Sequence, residues 1–136
     1  MAMGRRESQQ ETMWVAAQAL PRSPGHVFYE KLNEVHEAGG FDRFVEELCA
    51  AHYAEDLGRP SIPPGVYFRM LFVGYFEGLD SQRAIAWRCA DSLSLRSFLR
   101  IDLSNATPDH SSMTNTRKRL PEDVFWQVFA FVLKVA

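Results

Sequence analysis

The residues with most chemistry to offer lie between Thr107 and Leu120, in the order Thr-Pro-Asp-His-Ser-Ser-Met-Thr-Asn-Thr-Arg-Lys-Arg-Leu. Hydroxyls at Ser111, Ser112, Thr114 and Thr116 and the amide of Asn115 both donate and accept hydrogen bonds, and Arg117, Lys118 and Arg119 add positive charge. Such a set suits phosphate oxygens and base edges. The same stretch reads as a helix. Thr107 is placed to cap it and Pro108 fits its first position. Asp109 in the first turn and the basic triplet in the last both complement the helix dipole, and Pro121 ends the run. Two readings therefore compete: a solvated helix whose charges suit its own dipole, and a nucleic-acid contact. In the second, Arg117, Lys118 and Arg119 lead, with Ser111, Thr114 and Asn115 as base or phosphate partners.

Other groups offer less. Asp109 and His110 are adjacent, but neighbours on a helix point about 100° apart. No nucleophile or third group accompanies them, so capping accounts for Asp109 and a phosphate contact is the role open to His110. Cys49 and His52 have the spacing of half a metal site, but Cys89 and the other histidines come singly, so core packing is the reading adopted. Arg83, Arg88, Arg96 and Arg100 form a second basic set between Ser81 and Arg100. Arg83 and Arg88 join the candidate DNA contacts, whereas Arg96 is read as glue to Asp91 or Asp102. Arg59 either reaches DNA or ties its loop to Glu55 or Asp56. Trp14, Trp87 and Trp126 are read as packing residues, with base stacking reserved for any that proves exposed.

These residues need positioning elements, and the composition supplies them. A chain of 136 residues with 46% hydrophobic residues and ten Phe has enough apolar material for one core. The net charge of −2 is unevenly spread: −5 over residues 1–58, +4 over 59–119 and −1 over 120–136. The middle segment can present a basic face, although the chain is no polycation. Two cysteines make no disulfide framework, and neither a secretion signal nor a membrane-length apolar run is visible, which points to a reducing cytoplasm.

No stretch sustains a strand's alternation, so the expectation is all-α, a single domain of about six helices behind an N-terminal arm over residues 1–25. Helices are predicted over Val27–Ala38, stopped by Gly39-Gly40, and from Phe41 or Asp42 to about Glu55. Gly58 to Gly65, with three prolines among them, reads as a rigid connector. Val66 to Phe76 is apolar nearly all round and so central. Ser81 caps a helix from Gln82 to about Ala90, and a short helix restarts at Asp91 or Ser92. The two resemble a helix-turn-helix pair whose turn lacks the usual glycine. Ile101 to Ala106 is a loop. The last helix carries Val124, Phe125, Val128, Phe129, Val132 and Leu133 and reaches Ala136 without a cap; it demands burial on every side, by a partner or by more chain.

Three segments taken together resemble the N-terminal domain of bacterial insertion-sequence transposases of the DDE type. They are Gly58-Arg59-Pro60-Ser61 with Pro64 and the apolar helix holding Gly74-Tyr75 and Gly78; Ser81 and Arg83 leading to Asp91-Ser92-Leu93-Ser94-Leu95-Arg96-Ser97-Phe98-Leu99; and Pro108-Asp109-His110-Ser111-Ser112 through Arg117-Lys118-Arg119-Leu120. The likeness extends from about His26 to the end of the chain. It implies a helical region, residues 26–136, that recognises the element's terminal inverted repeats in double-stranded DNA. In such proteins a ribonuclease-H-like domain follows, whose two Asp and one Glu hold divalent metal for phosphoryl transfer. No catalytic residue is carried over to this chain. Magnesium is implied for a complete enzyme and no cofactor is expected for this chain. A different class of role is implied by truncation: pairing through Val124–Leu133 with a second copy or with a full-length transposase, which it would inhibit. A free-standing helical regulator is the third.

Overall fold

Hydrophobic spacing and caps divide the chain into seven α-helices among the residues that the computed structural model describes, namely 2–5, 23–53 and 62–135. They are α1 (Pro24–Ala38), α2 (Phe41–Cys49), α3 (Pro64–Glu77), α4 (Gln82–Asp91), α5 (Leu93–Phe98), α6 (His110–Arg119) and α7 (Glu122–Val135). No strand occurs among the described residues. The protein is all-α, and its seven helices correspond to the seven helical segments read from the sequence. Residues 6–22, most of the predicted arm over 1–25, and residues 54–61, which include the start of the predicted Gly58–Gly65 connector, lie outside the described residues, and Trp14 and Arg59 with them.

The local signals work as the chemistry requires. The Ser23 hydroxyl accepts from His26 N at 3.2 Å to open α1, and Gly40, with φ +70°, turns the chain into α2. Phe41, Val45 and Cys49 lie on one buried face of α2 while Glu46 and Glu47 face water. This α-helix ends at Cys49 and continues as a 3-10 turn over Ala50–His52, short of the expected Glu55. Pro64 and Gly65, assigned to the connector from sequence, form the first turn of α3. A proline costs nothing there, because its missing N–H would be unpaired anyway.

Helix α3 is the centre. Tyr67, Phe68, Met70, Phe72 and Val73 are buried on it, and α2 and α4 pack against it. A Cβ on Gly74 would stand 2.6 Å from Ile85 Cδ1, so any larger residue there requires the Ile85 side chain to shift at this close crossing with α4. Gly78 (φ +66°) ends the helix, and Ser81 and Ser92 cap α4 and α5.

Arg69, which reads in sequence as a mere interruption of α3, is the polar node of the core. Its guanidinium donates to Asp42 Oδ1 at 2.7 Å and Oδ2 at 2.9 Å, and to Asn33 Oδ1 at 2.9 Å. Asn33 in turn donates to the carbonyl of Phe98 at 2.8 Å. One side chain thus joins α1, α2, α3 and α5. The guanidinium also lies 5.2 Å from the Phe41 ring centroid, within cation–π range. Beside it His36 is fully buried, its ring 4.3 Å from that of Phe41, and both ring nitrogens lack a hydrogen-bond partner. Burial, reinforced by the Arg69 charge, pushes its pKa down to about 4.

Helices α4 and α5 form the adjacent pair expected, joined by Ser92 alone, with α5 only six residues long. Helix α7 departs from expectation. Val124 and Val128 are buried and Phe131 stacks on Phe44 at 4.2 Å, but Trp126 is 68% exposed and Leu133 79%. Trp87 on α4 is 67% exposed. The two described tryptophans are surface residues and not packing residues, because the core faces of their helices are already filled by Ile85, Ala86 and Cys89 and by Val124 and Val128.

Candidate nucleic-acid interface

Helix α6 starts at His110, two residues later than a Thr107 cap would set it. Asp109 is the cap: its backbone is extended (φ −88°, ψ 173°) and its Oδ1 accepts from Ser112 N at 2.8 Å. That backbone bond holds its carboxyl below the usual range. Both residue types cap well, and the structure puts Pro108 just before the helix where sequence had placed it within. The inner face of α6 buries Met113 and Thr116, with Leu120 behind them. The opposite face turns Ser111, Asn115 and Lys118 to solvent at i, i+4 and i+7, one stripe along the helix.

The other predicted residues divide by what they already hold. Thr114 Oγ1 donates to Gln82 Oε1 at 2.5 Å and is also 2.9 Å from the His110 carbonyl, so it ties α6 to α4. His110 Nε2 lies 3.4 Å from Arg83 Nη2, which brings the start of α6 beside an exposed arginine of α4. Trp87, four residues beyond Arg83, continues that exposed face of α4. Lys118 has no hydrogen bond or ion pair with any described residue. The Arg119 guanidinium sits 4.7 Å above the Tyr53 ring. Arg117 lines a groove with Tyr67, Leu71, Leu120 and Phe125.

The second basic set is mostly spoken for. Arg88 donates to Glu77 at 2.6 Å, and the other oxygen of Glu77 accepts from Tyr29 at 2.7 Å. Arg96 donates to the carbonyls of Ala90 at 3.0 Å and Asn105 at 2.8 Å, so it is structural glue, with backbone in place of Asp91 or Asp102. Arg100 pairs with Glu37. The structure therefore brings together Arg83, His110, Ser111, Asn115 and Lys118 on adjoining α4 and α6 surfaces and places Arg88 elsewhere, in an ion pair. Sequence reasoning missed Gln82, whose link to Thr114 has no local signature. It also set Trp87 aside, although the i, i+4 spacing from Arg83 was there to be read.

The surface is polar and cationic. Cys49 and Cys89 are buried free thiols, pushed up to about 11 and about 12 by burial. No group of three or more His, Cys, Asp or Glu that could hold a metal occurs among the described residues, so these residues do not fit the magnesium of a complete enzyme. No described helix is long and apolar enough to cross a membrane.

No curated protein and no solved structure matches the chain. A family model, described as "Transposase domain (DUF772)", matches residues 17–119. The match begins upstream of α1 and stops at the last residue of α6, leaving α7 outside it. With most of its length so matched, this chain belongs to the DUF772 transposase domain family.

Proposed function

We propose that the chain is the DNA-binding portion of an insertion-sequence transposase, docking the joined surfaces of α4 and α6 onto the duplex at the element's terminal inverted repeats. The observation that carries this reading is the solvent-facing stripe Ser111, Asn115 and Lys118, with Arg83 and His110 at its start, inside the region of the family match. Lys118 and Arg83 supply charge for phosphates, and Asn115 and Ser111 supply donors and acceptors for phosphates or base edges. Arg117 and Arg119 add to the field at the end of α6 while touching the protein themselves. The role proposed for these residues is binding.

Binding to a duplex carrying the element's end, measured over a salt series, tests the proposal. The log of affinity is expected to fall linearly with log salt, and Lys118→Ala to reduce that slope by about 0.9, the value for one phosphate contact. Asn115→Ala should weaken the element's end more than a scrambled duplex. Absence of binding, or a slope unmoved by Lys118→Ala and Arg83→Ala together, overturns the assignment.

A further inference from the structure

Helix α7 carries a surface that DNA does not explain. Trp126, Phe129 and Leu133 recur at i, i+3 and i+7 and are all exposed, while Val124 and Val128 on the other side fill the core. Large side chains left in water along one helix face mark a contact site. Beside this face runs a groove of about 530 Å³ between α3, α6 and α7, lined by Tyr67, Leu71, Leu120, Phe125 and Phe129 with Arg117 and Glu122 at its rim. Tyr67 itself is fully buried, so the groove floor is closed protein interior.

The charges select the occupant. Glu122 and Asp123 open α7 and Lys134 closes it. Acids in the first turn repel phosphate, which argues against DNA on this face. The same arrangement is self-complementary when two α7 helices run antiparallel, since the acids of one copy then face Lys134 of the other and the helix dipoles oppose. A small apolar ligand in the groove would leave Trp126 and Leu133 in water. A second chain covers both.

We infer that α7 pairs antiparallel with α7 of a second copy of this chain, each Trp126 seated in the other copy's groove. Tryptophan is the residue type most often found as the anchor of such contacts. A 14-residue helix is only about 21 Å long. The face is thus smaller than the roughly 800 Å² per partner of a standard interface, and the dimer is a weak, concentration-dependent one.

Sedimentation velocity on the full chain, over a series from low to high micromolar, tests this. A monomer–dimer equilibrium is expected, weakened about 30-fold or more by Trp126→Ala, the effect of removing an anchor residue. Trp87→Ala, equally exposed but on α4, should leave it unchanged. Lys134→Glu should weaken pairing, and adding Glu122→Lys and Asp123→Lys should restore it. A chain that stays monomeric across the series overturns the proposal. So does association that survives Trp126→Ala, or that ignores the charge swap.

Discussion

Arg69 and Lys118 carry the same charge in opposite surroundings. Arg69 is 2% exposed, and its fork is engaged by Asp42 and Asn33 beneath the Phe41 ring. Lys118 stands on the outer face of α6 with nothing from the described residues upon it. The difference teaches how to read a basic segment. Residues 59–119 hold nine Lys and Arg. Of these Arg69, Arg88, Arg96 and Arg100 hold internal partners, and Arg119 lies over Tyr53. The charge offered to a phosphate is what remains after the fold has used its share, so a net of +4 overstates the surface field in some places and misplaces it in others.

The sharpest way to break the comparison is Arg69→Ala. Removing the buried guanidinium leaves the buried Asn33 oxygen without its donor, while the half-exposed Asp42 carboxylate turns to water, at a cost of about 1–3 kcal/mol. Urea denaturation should show the loss. Arg69→Lys should recover only part of it, since an ammonium cannot supply both the fork and the Nε bond. Near-native stability for Arg69→Ala would mean that the node is dispensable.

A subtler test uses His36 at the edge of the same node. Its pKa is about 4 in the folded protein against the ordinary 6.5. Between those values the unfolded chain takes up a proton that the folded protein refuses, so stability is complete above about pH 6.5 and falls as pH falls toward about 4. Asp42, held below 3.8 by Arg69, adds a further loss only at lower pH. His36→Phe keeps a ring against Phe41 and removes two unpaired buried nitrogens. It should flatten the slope between pH 6.5 and 4 and leave stability at neutral pH equal or higher. A slope that persists in the variant would assign it to other groups.

The smallest effect belongs to the outside. Lys118→Ala should change stability by no more than about 0.5 kcal/mol, as surface substitutions do. Paired with its expected effect on the salt slope of DNA binding, this would separate a residue kept for contact from one kept for folding. A large stability loss would show that Lys118 holds an internal role after all.

Much of this architecture was legible because it is local. Gly39-Gly40, Ser81, Ser92 and Pro121 act within a turn or two of themselves, and the helices begin and end near them. The same local rules could not choose between Thr107 and Asp109 as the cap of α6, since both are good caps and Pro108 between them is compatible with either. Arg69 was illegible for the opposite reason. Its partners Asn33 and Asp42 lie 36 and 27 residues away in the chain, and no spacing rule links them. Helix α7 reads as apolar on nearly every side, which demands burial but cannot say which side the core takes. Only the packing of Phe131 on Phe44 and of Val128 beneath it shows that Trp126 is left out. Of the candidate interface, the residue types on α6 were visible from the start. Which of them the protein had already engaged was not.

The bond from Thr114 to Gln82 has a consequence for the thermodynamics of recognition. With Met113 and Thr116 buried, Asp109 capping one end and Thr114 tied to α4, the backbone of α6 is held by contacts at its start, middle and inner face before a ligand arrives. What must be ordered is a few outward side chains, at roughly 0.5–1.5 kcal/mol each. A surface so preorganised should discriminate through its off-rate, because a duplex whose groups do not match cannot be accommodated by bending the helix to meet it.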